Sequence, residues 1–216
     1  MNFAIIAQQL VSGMGSSLMI FVLTLLFSMP LGLLVAFGRM SKIKPLQAVI
    51  KVFIAILRGT PLMLQLLVVN FAPYYLFRIS LPRWYRFAAI IIGFSINYAA
   101  YFAEIYRSGI ESIPKGQYEA ASVLGYNKNQ TFFRIIFPQM VKRVLPPVTN
   151  EVITLVKDTS LAFVLAYEEM FTVAKQFASA RTSIMPLFVA GVFYFIFNAV
   201  VAFAMERIEK KLSYYH

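Results

Sequence analysis

Residues 18–37 read LMIFVLTLLFSMPLGLLVAF, twenty positions without one charge. The hydrocarbon core of a bilayer is about 30 Å thick and takes about 20 apolar residues of helix to cross. A helix on the surface of a soluble domain keeps a polar stripe toward water, and this run has none. It reads as a membrane span. The rest of the chain agrees: 60% of its 216 residues are hydrophobic and 13% are charged, against about 45–50% and about 25% in soluble domains. A net charge of +11 would suit nucleic acid, but in a membrane protein surplus Lys and Arg mark cytoplasmic loops, so no nucleic-acid partner is expected. With no cysteine and a single histidine at position 216, neither a disulfide framework nor a metal cluster is expected, and no cofactor.

Further apolar runs cover 49–75, 87–103 and 184–205. A weaker one, 148–167, carries Glu151, Lys157 and Asp158. Loop charge decides whether it crosses. With five spans, the loops 38–47 and 107–149 and the tail 206–216 share one side with twelve Lys and Arg, against five opposite. The positive-inside rule then places the N-terminus outside and the C-terminus in the cytoplasm. With four spans the basic tail would fall outside. The expected fold is therefore all-α, an integral membrane protein of five transmembrane helices forming one domain over 1–216. Pro30 is expected to bend the first span. Arg58, Gly59 and Pro61 should break or hinge the second, because proline removes a backbone hydrogen bond. Trp84 and Tyr85, between Arg83 and Arg86, suit an anchor at the outer interface. The start, MNFAIIAQQLVSGMG, lacks the basic region of a cleaved signal peptide and reads as a short amphipathic lead-in.

The loop 107–150 is too long for a simple connection, yet it is not disordered in composition. Pro114, Gly116 and Gly125 punctuate two helix-compatible pieces, QYEAASVL and NKNQTFFRIIF, with Pro138 expected to end the second. Tyr118, Ala121, Ser122 and Gly125 share one helical face of mostly small groups, suited to close packing or docking. Gly125 is placed to turn the chain at positive φ.

Glu119-Ala120-Ala121, Gly125 four residues on, then Ile135-x-Phe137-Pro138 resemble the EAA loop of ABC-importer permeases. RGTPLMLQ (58–65), AAYFAEIYRSGIESIPKGQ (99–117) and LVKDTSLAFVLAYEEM (155–170) extend the likeness to the polar amino acid permeases of binding-protein-dependent transporters, over about residues 10–210. The resemblance implies a prokaryotic cytoplasmic-membrane subunit, a second permease chain as in a homodimer, two ABC ATPase subunits and an extracytoplasmic solute-binding protein. It further implies that 112–138 is a coupling segment on which Glu119, Ala120, Ala121 and Gly125 contact the ATPase. The G-x-x-x-x-G-K-[ST] phosphate loop is absent, as is any nucleophile–base set. The chain is expected to be a transporter subunit and not an enzyme.

Charges inside a bilayer cost about 2.5–3.5 kcal/mol each on insertion scales and mark pathways or partners. At 100° per residue, Glu151, Thr154 and Asp158 share a face, continued by Ala162, Leu165 and Glu169, with Lys157 about a third of a turn away. Asn97, Tyr101, Glu104 and Ser108 form a matching stripe on the third span. Together they suggest a polar path for an amino acid, its cationic group on the carboxylates and its carboxylate on Lys157 or a helix end. Two readings stay open: Glu104 also suits a local ion pair with Arg107, and the others suit pairs between helices. A basic amino acid (arginine, lysine or histidine) fits the acidic stripe; a neutral one of the glutamine type is the competitor. A secondary transporter or channel is the other class, and ATP dependence separates it.

Overall fold

The computed structural model describes residues 3–212, and the described residues are all-helical. The order is α1 (Phe3–Arg39), α2 (Lys44–Gly59), α3 (Leu62–Phe77), α4 (Tyr85–Glu111), α5 (Lys115–Val123), α6 (Lys128–Thr131), a π-helical turn (Phe132–Ile136), α7 (Phe137–Asp158), a 3₁₀ segment (Thr159–Leu165), α8 (Met170–Arg181) and α9 (Met185–Leu212). The stretch that read as a lead-in is no separate element, since α1 is continuous from Phe3 and runs through Pro30.

Among the described residues three helices are long and apolar enough to cross a membrane: α1 over Gln8–Arg39, α4 and α9. The bent pair α2–α3 makes a fourth if counted as one span. The second expected span is thus corrected to two helices meeting at 111°. The break falls at Thr60–Pro61, where Pro61 precedes the first turn of α3 and Thr60 is extended. The fourth expected span, 148–167, is also not one helix. It is the C-terminal half of α7 followed by the 3₁₀ segment, and α7 is not among the helices apolar enough to cross.

The central element is α4, which packs on α1, α3, α2 and α7. Its Ile90, Phe94, Tyr98 and Phe102, at i, i+4, i+8 and i+12, are buried. The α1–α4 crossing is close because Gly32 has no side chain: a Cβ there would lie 2.8 Å from Phe102 Cβ and 3.1 Å from the Ala99 carbonyl oxygen. At the other end of α1, Glu169 is wholly buried, caps α8 through the amides of Phe171 and Thr172 (both 2.7 Å), and accepts from Thr172 Oγ1 (2.8 Å), Tyr194 OH (3.0 Å) and Ser17 Oγ (3.4 Å). It therefore ties α1, α8 and α9 together. Glu169 does not prolong the acidic stripe.

Why α7 stops at Asp158 follows from the next two residues. Thr159 Oγ1 donates to the Val156 carbonyl and Ser160 Oγ to that of Lys157, both at 2.8 Å. Hydroxyls that occupy carbonyls in this way compete with the helical ladder. The chain tightens to three residues per turn, and Ala166 ends the segment at φ 51°. With the period changed, Ala162 and Leu165 turn into the core.

Candidate functional site

Where α4 faces α7, the buried Tyr98 donates its phenolic proton to Asp158 Oδ2 at 2.7 Å. Glu151 lies two turns earlier on α7 and, like Thr154 and Asp158, is half-buried. Among the described residues neither Glu151 nor Asp158 has a salt-bridge partner. Arg58, at the end of α2, holds its guanidinium carbon 5.1 Å from the Tyr101 ring centroid, and its charge is felt at Glu151. Lys157 is exposed, and its charge is felt at Asp158. The result is a short polar belt with two unpaired carboxylates and two cations, which can receive a zwitterion or a cation.

Two residues of the expected stripe stand apart from this belt. Asn97 is 4% exposed and donates to the Leu57 carbonyl (3.1 Å) and to Gln65 Oε1 (2.9 Å). Gln65 in turn donates to the carbonyls of Leu57 (2.8 Å) and Thr60 (3.1 Å) and to Thr60 Oγ1 (2.9 Å). The last carbonyls of a helix have no partner within it. Asn97 and Gln65 satisfy them at the α2–α3 break, so here Asn97 is a clamp. Glu104 sits in a network at the far end of α4, 2.7 Å from Arg107 and 3.7 Å from Arg39, with Arg107 also on Glu111. Of its two open readings, the ion pair is the one observed.

The loop after α4 is a built element. Asn127 and Gln130 cap each other's backbone at 2.9 Å. From Lys128 the helix runs on through the π-turn into α7 without a stop. Pro138 does not end it: it follows directly on the π-turn, where the backbone ladder is already shifted out of the i to i−4 pattern and can pass over a missing amide proton. Gly125 turns the chain at φ 77°. The face expected to be free is partly reversed, because Ala121 is 1% exposed and packs inward. Glu119, Ala120, Ser122 and Gly125 are exposed, and the outward apolar groups are Val123 (87%) and Leu124 (73%). Partial burial pushes the Tyr118 phenol up from its usual pKa. Gln139 of α7 donates to Gln117 Oε1 (3.4 Å), and Arg143 reaches the Ser112 carbonyl, so α5 and the end of α4 are both tied to α7.

The sequence matches the family described as binding-protein-dependent transport system inner membrane component over residues 28–214. The chain belongs to this family. The permease is 36% identical to the L-cystine transport system permease protein TcyB of Bacillus subtilis (strain 168), over 90% of this chain and 82% of that one. It is 30% identical to the arginine transport system permease protein ArtQ of the same organism, over 94% and 92%. The crystal structure of an amino acid ABC transporter with histidines superposes with a TM-score of 0.86 at 28% identity, covering 98% of this chain and 99% of that one. This permease is therefore a bacterial inner-membrane, non-enzymatic component of an amino acid ABC importer, with ATPase and binding-protein partners.

Sequence reasoning missed Tyr98 and Gln65 in the permease. Both carried a signal. A buried tyrosine hydroxyl needs a partner, and a lone aspartate on a nearby span offers one. Gln65 follows the Pro61 break by four residues, within reach of the carbonyls that the break exposes. The exposed pair Val123 and Leu124 was hidden because helical periodicity shows that a face exists but not which face turns inward.

Proposed function

We propose that the permease crosses the membrane five times, N-terminus outside and C-terminus cytoplasmic, and pairs with an identical copy. Two ATPase subunits dock from the cytoplasm and a solute-binding protein from the opposite side. On this reading α2–α3 counts as one broken span, and α7 with the 3₁₀ segment as another whose charges face a path and not lipid. Five crossings keep the basic 206–216 tail on the same side as the coupling loop, as loop charge requires.

The cargo is a basic amino acid such as arginine, lysine or histidine. The observation that carries this is the pair Glu151 and Asp158, half-buried, on one face of α7, without a salt bridge, and with Asp158 held by Tyr98. A buried carboxylate without a counter-ion is expensive, and a passing cation supplies one. Arg58 or Lys157 meets the carboxylate of the cargo, while Thr154 and Tyr101 line the path. The likeness to an arginine permease and to a transporter structure with histidines is in keeping with this. The likeness to a cystine permease favours a second reading, a neutral polar amino acid of the cystine or glutamine type.

In the coupling segment, over 112–138, Glu119, Ala120, Val123, Leu124 and Gly125 contact the ATPase, and Ala121 anchors α5 to its own chain. Arg58, Gly59 and Pro61 form the hinge near the gate. The test is uptake of labelled arginine into proteoliposomes holding the permease, its ATPase and its binding protein, with and without internal ATP. Lysine and histidine should compete, and Asp158→Asn should abolish uptake while the ATPase stays bound. Glu119→Lys should release the ATPase. Competition by cystine or glutamine but not lysine would select the second reading, and ATP-independent uptake would sink the importer assembly.

A further inference from the structure

The first 103 residues contain no acidic side chain. Three arginines nevertheless lie in the α3–α4 connection and the first turn of α4: Arg78, Arg83 and Arg86. On the orientation proposed above, which this inference rests on, they lie outside, where the positive-inside rule disfavours them. Among the described residues no carboxylate comes within salt-bridge distance of any of the three. Arg86 spends one N–H on the Ala166 carbonyl, at 3.1 Å. The cluster also stands at the N-terminal, positive end of α4. Nothing among the described residues neutralises it.

Arg83 and Arg86 line a groove of about 340 Å³ whose walls are Phe71, Tyr74, Tyr75 and Tyr85. Tyr85 fixes one wall by donating to the Val69 carbonyl at 3.0 Å. From two of these walls, Tyr75 and Phe71, exposed apolar side chains continue along α3 through Val68 to Leu64, the four at i, i+4, i+7 and i+11 counted from Leu64. They make an apolar stripe about 16 Å long, at 1.5 Å per residue. Trp84 stands beside the groove, 69% exposed, and exposed Trp and Tyr sit at headgroup level. The site therefore has cations and aromatic rings at the interface and an apolar track leading into the hydrocarbon.

We infer that this groove binds an anionic phospholipid of the outer leaflet, its phosphate on Arg83 and Arg86 and an acyl chain along the α3 stripe. The docked binding protein explains the arginines equally well, but it has no use for an apolar track running to bilayer depth. An amphiphile uses both. The bound lipid supplies the negative charge that the first 103 residues lack, and it wedges α3 against α4 beside the clamp at the α2–α3 break.

Trp84 is the permease's only tryptophan, and the signal it gives in the complex is the difference between the complex and the same complex carrying Trp84→Phe. The permease–ATPase complex is reconstituted in phosphatidylcholine vesicles containing 10 mol% of either 6,7-dibrominated phosphatidylglycerol or the same brominated phosphatidylcholine, and Trp84 quenching is compared. A basic residue at the surface is worth about fivefold in local anionic-lipid preference, so brominated phosphatidylglycerol should quench several-fold more. Among the described residues the Arg83 side chain has no hydrogen-bond or ion-pair partner, so Arg83→Gln should bring the two lipids level with melting unchanged; Arg86→Lys should keep the preference. Equal quenching in the unaltered complex overturns the lipid site. Equal quenching together with loss of binding-protein docking in Arg83→Gln overturns it in favour of the protein partner. Orientation is read separately: the chain has no cysteine, so Ser80→Cys should react with an impermeant maleimide added outside intact cells. Labelling only after lysis sinks the topology, whatever the lipid result.

Discussion

Replacing Asn97 with leucine tests whether the α2–α3 break is held by a side-chain network. The substitution keeps the branching and heavy-atom count of the side chain and removes two bonds, at 3.1 Å to the Leu57 carbonyl and 2.9 Å to Gln65 Oε1. Interhelical hydrogen bonds in membrane proteins average about 0.6 kcal/mol and reach about 1.7. Two of them give about 1–2 kcal/mol. Gln65 is only half-buried, so its stranded oxygen adds the low end of the penalty for an unsatisfied group, about 1 kcal/mol. The expected loss is about 2–3 kcal/mol, measured by SDS unfolding of the full chain in mixed micelles. Faster hydrogen exchange should appear at the end of α2 and the start of α3, and not in α9. Gln65→Ala alone should lose about as much, since it drops three bonds to Leu57 and Thr60 and the one that Gln65 accepts from Asn97. Because the two side chains bond each other and serve the same carbonyl, the double variant should lose less than the sum of the singles, by about 1 kcal/mol. Additivity within about 0.3 kcal/mol, the behaviour of independent sites, would refute the clamp.

Two further outcomes follow from packing. Gly32→Val puts a branched side chain where even a Cβ meets Phe102 Cβ at 2.8 Å; overpacking of this kind costs about 1–3 kcal/mol or more. It should lower the yield of assembled complex, whereas Gly191→Ala, with open space around it, should be silent in the same purification. Glu169→Gln replaces one of two acceptor oxygens, each bonded to an amide proton at 2.7 Å, by an NH₂ group that cannot accept, so one of the two amides loses its partner. A loss of about 1–3 kcal/mol and faster exchange of the Phe171 and Thr172 amides are expected, with ATPase docking intact.

Charge-free length made α1, α4 and α9 legible, because a run that has to satisfy its own backbone in lipid leaves few alternatives. The RGTP break was legible for the same kind of local reason, as was the turn at Gly125. What could not be read was set by partners distant in sequence. Asn97 and Tyr98 are neighbours on α4, yet one clamps a helix break and the other holds Asp158. Periodicity assigned Asn97 to the path and passed over Tyr98. The stripe drawn from Glu151 to Glu169 assumed one helix, and the hydroxyls of Thr159 and Ser160 had already ended it. By residue type Pro138 reads as a stop, and the π-turn that carries the helix through it has no such local signature.

The weak hydropathy of α7 makes sense once its two ends are considered together. The helix from Lys128 to Asp158, about 45 Å at 1.5 Å per residue, is tied to α5 and to the end of α4 at one end, through Gln139 and Arg143. At the other it carries Glu151 and Asp158. On the proposed reading, any rotation that the ATPases impose on α5 turns these carboxylates directly, with no intervening loop to absorb it. A purely apolar span in this position would sit more cheaply in lipid, but it would give the cargo nothing to bind. Pro146 and Pro147 lie inside α7 between its two ends, where each removes a backbone bond. The helix nevertheless runs through both prolines unbroken, so its two ends remain parts of one element.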